Sequence, residues 1–252
     1  MLGQGSRHGV LNMKALLAGT ALAALIIAPA SAQLRLAMSV DGSIFAAADN
    51  GPKDLDPALG ALVIAQQNLD GVSILGTFAG SSKLPSPTGD ALNVSNLRIT
   101  NTTSSVKTLF MAISDNGYPG DENCIMTAAS GTWNGLGTST AKFAFFVDGA
   151  NVLGAGNSQS TPGALITADN DSAGAGPLSF SFEGDNPFMH GTPFSMTEAM
   201  VFNLAPGAQL IGNSVGMQAV PEPSTWAMTL VGFAGLAWGA FTRKRVRQLG
   251  MV

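Results

Sequence analysis

Apolar and polar residues alternate along several stretches of this chain, and this alternation limits its fold more than any other feature of the sequence. In PLSFSFEG, residues 177–184, one side of the pattern is apolar and the other carries Ser and Glu. The stretches AKFAFFVD, residues 141–148, and PFSMTEAMVFNL, residues 193–204, repeat the pattern. A period of two places successive side chains on opposite faces of a β-strand. Glu198 interrupts the apolar face of the third stretch, which predicts a bulge or an edge position there.

Turn-forming segments separate these candidate strands from further ones at residues 71–79, 91–100 and 106–114. Gly, Asn, Asp, Ser and Pro are concentrated between the strands, in DNGPKD, SSKLPSPTGD, DNGYPGDEN, GNSQSTPG, DNDSAGAGP and EGDNP. Such clusters mark turns and loops. Many short strands with one wet face each, joined by turns, predict an all-β fold built as an antiparallel β-sandwich.

The distribution of charge excludes nucleic acid as a partner. Residues 33–220 hold six Lys and Arg against fifteen Asp and Glu, a balance of −9. A polyanion is repelled by such a domain. The net charge of the whole chain is only −4, because the rest of the chain holds six basic residues against one Glu, and four of the six are packed behind the apolar C-terminal stretch.

Cysteine and histidine are nearly absent, which restricts the chemistry open to the chain. Cys124 is the only cysteine, so neither an intrachain disulfide nor a cysteine-based metal cluster can form. A Ser-His-Asp triad would depend on His190, because His8 lies in the N-terminal leader described below. We expect no catalytic residues, and hence no enzyme.

The N-terminal segment has the three-part layout of a secretory signal peptide. Lys14 precedes an apolar run over residues 15–28, and the small residues Ala30 and Ala32 follow it at the two positions that signal peptidase reads. We expect cleavage after Ala32, which assigns residues 1–32 to the leader. Translation starting at Met1 or at Met13 is compatible with export.

The C-terminal segment predicts a single transmembrane helix over residues 225–241. These 17 residues carry no charge, and a helix of this length spans about 25 Å. Moving Lys or Arg to the middle of a membrane helix costs about 2.5 to 3.5 kcal/mol on insertion scales, so a basic cluster stops transfer on the cytoplasmic side. The cluster consists of Arg243, Lys244, Arg245 and Arg247. The preceding domain is then predicted to lie on the opposite side of the membrane.

The order of Pro221-Glu222-Pro223, a short apolar helix and a basic tail over residues 243–247 resembles the PEP-CTERM sorting signal of Gram-negative bacteria. The resemblance covers residues 220–248. It implies that an exosortase, a membrane protease and transpeptidase, reads the tripeptide as a tag and that the helix is a temporary anchor. It also implies an association with exported polysaccharide. The same C-terminal signature occurs in some proteins labelled ice-binding.

These features divide the chain into a leader, an exported β-sandwich domain over residues 33–219, and the sorting signal. The resemblance and the composition predict an exported surface or extracellular-matrix protein without catalytic activity. A carbohydrate-binding or adhesive module is the alternative, and a glycan hydrolase or an ice-binding protein stays open. The expected partners are signal peptidase, an exosortase, the bacterial membrane and exopolysaccharide.

Two sets of residues are candidates for ligand binding in the exported domain. Tyr118 and Trp133 flank an acidic stretch, and exposed aromatic rings stack on sugars, so they form a possible carbohydrate loop. The alternative is that Trp133 packs under a sheet edge. Asp115, Asp121 and Glu122 supply closely spaced oxygen ligands in a Gly-containing loop, a pattern that suits Ca²⁺. The same residues are also typical of a plain turn. Calcium is the only cofactor that the sequence suggests.

Overall fold

The computed structural model describes residues 33–76, 78–83, 89–119, 123–155, 161–188, 193–220 and 230–234. The described residues form fourteen β-strands and one short helical stretch over residues 230–234. In chain order the strands are β1 Arg35–Val40, β2 Ser43–Ala48, β3 Ala61–Val63, β4 Gln67–Leu69, β5 Val72–Leu75, β6 Phe78–Lys83, β7 Asp90–Asn101, β8 Lys107–Tyr118, β9 Cys124–Asn134, β10 Ser139–Asp148, β11 Ala164–Ala173, β12 Leu178–Pro187, β13 Phe194–Leu204 and β14 Gln209–Val220.

The strands form two antiparallel sheets that face each other. The six-stranded sheet has the order β11-β10-β13-β8-β1-β2. The eight-stranded sheet has the order β12-β9-β14-β7-β5-β4, and β6 pairs with the other half of β7 and carries β3. The predicted all-β, antiparallel sandwich is therefore confirmed.

Alternation produces the core, as the sequence predicts. In β10 the residues Phe143, Phe145 and Val147 are buried, while the residues between them are partly or fully exposed. The partner strand β13 places Met200 opposite Phe143 in register, so one apolar row crosses several strands. Burying an apolar side chain stabilises the fold by about 25 cal/mol per Å² removed from water.

Aromatic side chains fill the space between the sheets at one end of the sandwich. The Phe143 ring lies 5.2 to 5.8 Å from those of Phe180, Phe182 and Phe202. Phe180 and Phe182 belong to the exposed edge strand β12, and their rings close the side of the core. Rings at these separations gain contact energy beyond simple burial.

Two predicted features of the strand pattern differ from the structure. The candidate strand at residues 71–79 is two strands, because Gly76 adopts a left-handed backbone (φ +71°) and ends β5. The stretch DNGYPGDEN, predicted as a loop, begins inside β8. There Asn116 and Gly117 lie opposite the single residue Ser195, and Gly117 has φ +77°. A turn sequence therefore forms a β-bulge, in which the amides of Asn116 and Gly117 donate to the side-chain oxygens of Asp115 and Asn151.

The stretches DNDSAGAGP and EGDNP are also strand rather than loop over most of their length. β11 continues to Ala173 and β12 continues to Pro187. Both are edge strands, paired on one side only. Polar and acidic residues are typical of edge strands because their side chains discourage pairing with other chains.

Glu198 does not lie at an edge. Its strand β13 is paired on both sides, with β10 and β8, and the nearest irregularity falls between Phe194 and Met196. The Glu198 side chain is fully buried in the middle of the sandwich. The prediction of an edge position was therefore wrong. It assumed that an acidic residue on an apolar face contacts solvent, whereas the Glu198 carboxyl group is buried in the core.

The segments predicted to direct export lie mostly outside the described residues. This applies to the leader (residues 1–32), to Pro221-Glu222-Pro223, to the basic tail (residues 243–247) and to all but residues 230–234 of the predicted membrane helix. Within the described part of the chain, no helix combines the length and the apolar character that a membrane crossing requires.

Candidate functional site

Tyr118 and Trp133, the predicted carbohydrate loop, are buried inside the sandwich. Their exposed fractions are 0% and 2%. The Trp133 indole Nε1 donates a hydrogen bond to Asp171 Oδ2 (2.8 Å), and its ring packs against Phe180. Neither ring is available to stack on a ligand in solution. The expectation of an exposed aromatic pair is corrected, because each ring lies on the inward face of a strand, β8 or β9.

Tyr118 instead belongs to a buried polar group, named here the Asp115 cluster and made of Ser81, Lys83, Asp115 and Tyr118. The Lys83 Nζ atom lies 3.1 and 3.2 Å from the two Asp115 carboxylate oxygens. Ser81 Oγ donates to Asp115 Oδ2 and lies 2.9 Å from the Tyr118 hydroxyl. The Asp115 side chain is fully buried, while Lys83 retains 20% exposure.

Burial raises the pKa of Tyr118 well above its ordinary value, and the negative charge of Asp115 raises it further. The phenol is therefore protonated at any physiological pH and acts as a neutral hydrogen-bonding group. The Lys83 ammonium lies 5.3 Å from the centre of the Tyr118 ring, in range for a cation–π contact. The cluster joins β6 of one sheet to β8 of the other.

The predicted calcium ligands are not brought together by the described residues. Asp115 is engaged by the cluster, and Asp121 and Glu122 lie outside the described ranges. The acidic loop at residues 49–56 binds its own backbone: Asp54 accepts hydrogen bonds from the amides of Asn50, Asp56 and Val63. Across the part of the chain that the structure describes, no three acidic, His or Cys side chains gather at metal-binding distance.

The remaining residues singled out by sequence fall into two groups. Cys124 is buried at the start of β9. Ala30, Ala32, His190 and the sorting residues lie outside the described ranges.

A groove of about 450 Å³ lies on the outer face of the eight-stranded sheet, where β12, β9, β14 and β7 run side by side. Two rows of paired residues cross these four strands. The first row is Glu183, Ala128, Gly216 and Asn93, and the second is Asp185, Met126, Gln218 and Ala91.

Small residues form the floor of the groove and polar side chains flank it. Ala128 and Gly216 occupy the middle of the first row, and a Cβ atom on Gly216 would come within 3.3 Å of the Asn93 Cβ atom. Glu183 and Asp185 project from the edge strand β12 on one side, and Asn93 projects from β7 on the other. Among the described residues that line the groove, the charged ones are two carboxylates and none is basic.

The polar surface continues beyond the groove along the same four strands. The next row is made of Ser181, Ser130, Ser214 and Ser95, in register. In the row after that, the hydroxyls of Thr132 and Ser179 lie 3.1 Å apart. The groove therefore opens onto a face covered with hydroxyl groups.

The sequence indicates the wet faces of these strands but not their assembly. The alternation in PLSFSFEG places Ser179, Ser181 and Glu183 on one face, which the structure bears out. Which strands lie beside β12 depends on long-range pairing: β14 inserts between β9 and β7 from far along the chain. No local pattern in the sequence contains that information.

The described residues form an antiparallel β-sandwich with a polar groove on one outer face. No family model and no curated protein matches the chain. Among solved structures it is similar to TmCBM61 in complex with beta-1,4-galactotriose, at 6% identity and a TM-score of 0.31, covering 51% of this chain and 81% of that chain. It is also similar to the CBM22-1 xylan-binding domain from Paenibacillus barcinonensis Xyn10C, at 11% identity and a TM-score of 0.29, covering 63% and 88%. A third is TmCBM27, described with specific mannan recognition, at 12% identity and a TM-score of 0.26, covering 64% and 99%.

Proposed function

We propose that the chain is a non-catalytic polysaccharide-binding module that is exported and displayed at the cell surface. The groove on the outer face of the eight-stranded sheet is the observation that supports this proposal most directly. It is a concave, solvent-open site of the size that small ligands occupy.

The groove lining suits a ligand rich in hydroxyl groups. The carboxylates of Glu183 and Asp185 accept hydrogen bonds, and the amides of Asn93 and Gln218 both donate and accept them. The exposed Met126 side chain adds an apolar contact for one face of a sugar ring. Two carboxylates without a basic partner disfavour uronates and other polyanions, so the ligand is a neutral glycan.

The positions of the carboxyl groups favour binding over hydrolysis. Glycosidases place two carboxyl groups on either side of the scissile bond, about 5 to 10 Å apart. Here Glu183 and Asp185 lie on the same strand and on the same side of the groove, and Asn93 lies on the opposite side. A bound glycan would contact both acids from one side, without a partner carboxyl across the bond.

Export and sorting form the second part of the proposal and rest on the two ends of the sequence. The leader is removed by signal peptidase, and an exosortase reads Pro221-Glu222-Pro223 after the domain has crossed the membrane. The described part of the C-terminal apolar segment supports an anchor, because the side chains of Leu230, Val231 and Phe233 are 65 to 69% exposed. Apolar helices that do not pack on their own domain are suited to a membrane or a partner.

The groove is tested by filling its floor. We expect Ala128→Trp in the full-length protein to weaken retention on a neutral polysaccharide at least about tenfold, which corresponds to roughly 1.4 kcal/mol. Ala144→Trp is the matched control, because Ala144 is also half-buried and points outward from an interior strand of the other sheet. Affinity electrophoresis against xylan, galactan, mannan and alginate measures both variants.

A second pair of variants removes hydrogen bonds instead of space. Asn93→Ala is expected to weaken binding, while Asn170→Ala on the exposed face of β11 is expected to leave it unchanged. Retention of no polysaccharide, or equal retention of Ala128→Trp and Ala144→Trp, would contradict the binding proposal. Retention of alginate alone would contradict the neutral-ligand assignment.

Sorting is tested separately in cells that contain an exosortase. Glu222→Ala is expected to leave a membrane-bound precursor, while Ser224→Ala, two residues away, is expected to be processed normally. Fractionation followed by mass spectrometry of the C-terminus distinguishes the two forms. Equal processing of both variants argues against recognition of the tripeptide.

A further inference from the structure

The backbone nitrogen of Gln33 contacts the Asp115 cluster. It lies 3.0 Å from Asp115 Oδ1, across a separation of 82 residues. Gln33 is also the residue that follows the predicted cleavage site after Ala32. In the precursor this nitrogen is a neutral amide, whereas in the cleaved chain it is the α-ammonium group of the new N-terminus.

A second positive charge beside Asp115 would act on a buried carboxylate. Asp115 is fully buried, and so is Asp90, which lies opposite Lys83 where β6 pairs with β7. Lys83 is the one basic side chain that the structure pairs with Asp115 among the described residues. A positive charge that contacts a buried carboxylate offsets part of the cost of removing the carboxylate from water.

We propose that the α-ammonium group created on Gln33 by signal cleavage forms an ion pair with Asp115, so that maturation itself stabilises the folded domain. The inference rests on the predicted cleavage after Ala32 and not on glycan binding. The bond present in the precursor becomes charge-assisted, and such bonds are shorter and roughly twice as strong as neutral ones.

Neighbouring groups hold Gln33 in position for this contact. The Gln33 side chain accepts a hydrogen bond from the Arg35 guanidinium (2.6 Å), and Leu34 is fully buried immediately after it. The amide of Asn116 donates to the same Asp115 oxygen, at 2.7 Å. The nitrogen therefore approaches a carboxylate that is already fixed from several sides.

The ion pair should give a pH-dependent stability whose sign can be worked out. Pairing with a carboxylate raises the pKa of an amine in the folded state above the ordinary α-amino value of about 8. The extra stability is therefore complete below pH ~8 and is lost as the pH rises through the folded-state pKa of the amine. The charged and titratable groups around this contact are Arg35 at the start of β1, Asp115 and Tyr118 on β8, Lys83 on β6, Asp90 on β7 and Glu198 on β13.

The experiment compares three chains that end at Val252 and differ only at the N-terminus. The first begins at Gln33 and is released from a removable fusion, and the second is the same chain with its α-amino group acetylated. The third begins at Ala32, which keeps a positive amino group but moves it along the chain by up to about 3.5 Å. We expect the first chain to melt about 2–4 °C above the other two at pH 6, and all three to melt together near pH 10.

The Asp115→Asn substitution in the first and third chains tests the assigned partner. The difference between the two chains should disappear in this background. Equal melting temperatures at pH 6, or a difference that persists near pH 10 or with Asp115→Asn, would overturn the ion pair. If Asp115→Asn fails to fold, the comparison with the acetylated chain and the pH series still test the ion pair.

The N-terminus of the exported protein, read by mass spectrometry, tests the premise. If the first residue is not Gln33, the ion-pair proposal is wrong, while the proposal of glycan binding in the groove is unaffected. A first residue of Gln33 together with glycan binding but equal melting temperatures overturns only the ion pair.

Discussion

Two buried carboxyl groups in this sandwich have opposite surroundings. Asp115 accepts hydrogen bonds or ion pairs from Lys83, Ser81 and two backbone amides. Glu198 lies on the adjacent strand, two residue pairs along, between Phe145 and Ile113. Among the described residues, neither of its carboxyl oxygens has a hydrogen bond of normal geometry, although the Met217 backbone is close enough to act on the carboxyl group.

The difference shows that burial alone does not determine whether an acid in the core is charged. Removal from water raises the pKa of Glu198 well above its ordinary value, and the backbone of Met217 on the facing sheet offsets only part of that rise. The raised pKa favours the neutral, protonated form of Glu198 in the folded domain. Asp115 contacts a cation and several hydrogen-bond donors, whereas Glu198 is flanked in register by apolar side chains.

The largest expected effect comes from removing the Asp115 carboxylate. Asp115→Ala leaves the Lys83 ammonium and the Ser81 hydroxyl without their acceptor in a buried site. Breaking a buried pair in this way typically costs about 3 to 5 kcal/mol. Urea denaturation followed by tryptophan fluorescence measures the loss. Asp185→Ala, on the exposed face of β12, is the matched control and should change the free energy of unfolding by less than about 0.5 kcal/mol.

Equal effects of these two Asp substitutions would contradict the assignment of Asp115 as a structural charge. Substituting Lys83 as well sharpens the test. The double variant Asp115→Ala/Lys83→Met should be more stable than Asp115→Ala alone, because it no longer buries an unpaired ammonium.

Glu198 is expected to show its effect through pH. Because its folded pKa is raised, the unfolded chain releases a proton near pH 4.5 that the folded chain keeps, and stability falls as the pH rises above that point. Over the pH range in which the folded chain keeps this proton, the slope is about 1.4 kcal/mol per pH unit. Glu198→Gln is neutral throughout and should remove this component.

The difference in unfolding free energy between the wild-type protein and Glu198→Gln, measured at pH 5, 6 and 7, isolates this group from the other titrating residues. Glu183→Gln on the exposed face of β12 serves as the control and should leave the slope unchanged. Parallel pH curves for wild type and Glu198→Gln would show that Glu198 is ionised in the folded state.

The sequence predicts the sandwich because its main signal is local. Alternation of period two places Phe143 and Phe145 inside regardless of which strand lies next to them, and the structure places both in the core. Alternation does not predict the burial of Glu198. An acidic residue on an apolar face is expected to contact solvent unless it is known to be neutral.

The sequence does not predict the candidate groove, because the groove depends on long-range strand pairing. Glu183 and Asn93 are 90 residues apart and are aligned only through β9 and β14, which pair with each other and with their outer neighbours. Tyr118 and Trp133 were a possible ligand pair because they flank an acidic stretch, with packing of Trp133 under a sheet edge as the alternative; the structure buries both. Both side chains are buried because they occupy inward-facing positions of β8 and β9. The strand pattern was not extended to Tyr118 because DNGYPGDEN was predicted as a loop.

A smaller effect is expected from the Tyr118 hydroxyl. Tyr118→Phe removes the contact with Ser81 at 2.9 Å but leaves the ring and its burial in place. A hydrogen bond of this kind contributes about 1 kcal/mol net. A double-mutant cycle with Ser81→Ala, read by urea denaturation, should give a coupling of the same order. A coupling near zero would show that Ser81 is held by Asp115 alone.

The smallest expected effect lies outside the sandwich core, at the ion pairs that Lys107 forms with Asp41 and Asp70. The contacts with both acids raise the pKa of Lys107, and the hydrogen bond from Lys107 lowers the pKa of Asp70. Any stabilisation is therefore complete between about pH 4 and pH 10 and is lost on either side of that window. Because both carboxylates are exposed and screened by solvent, Lys107→Met should lower the melting temperature by about 1 °C or less, and less still in 0.5 M salt. Lys142→Met, on the exposed face of β10, is the matched control. A drop comparable to that of Asp115→Ala would mean that charge pairing, and not burial of the charge, determines how much an acid contributes to this fold.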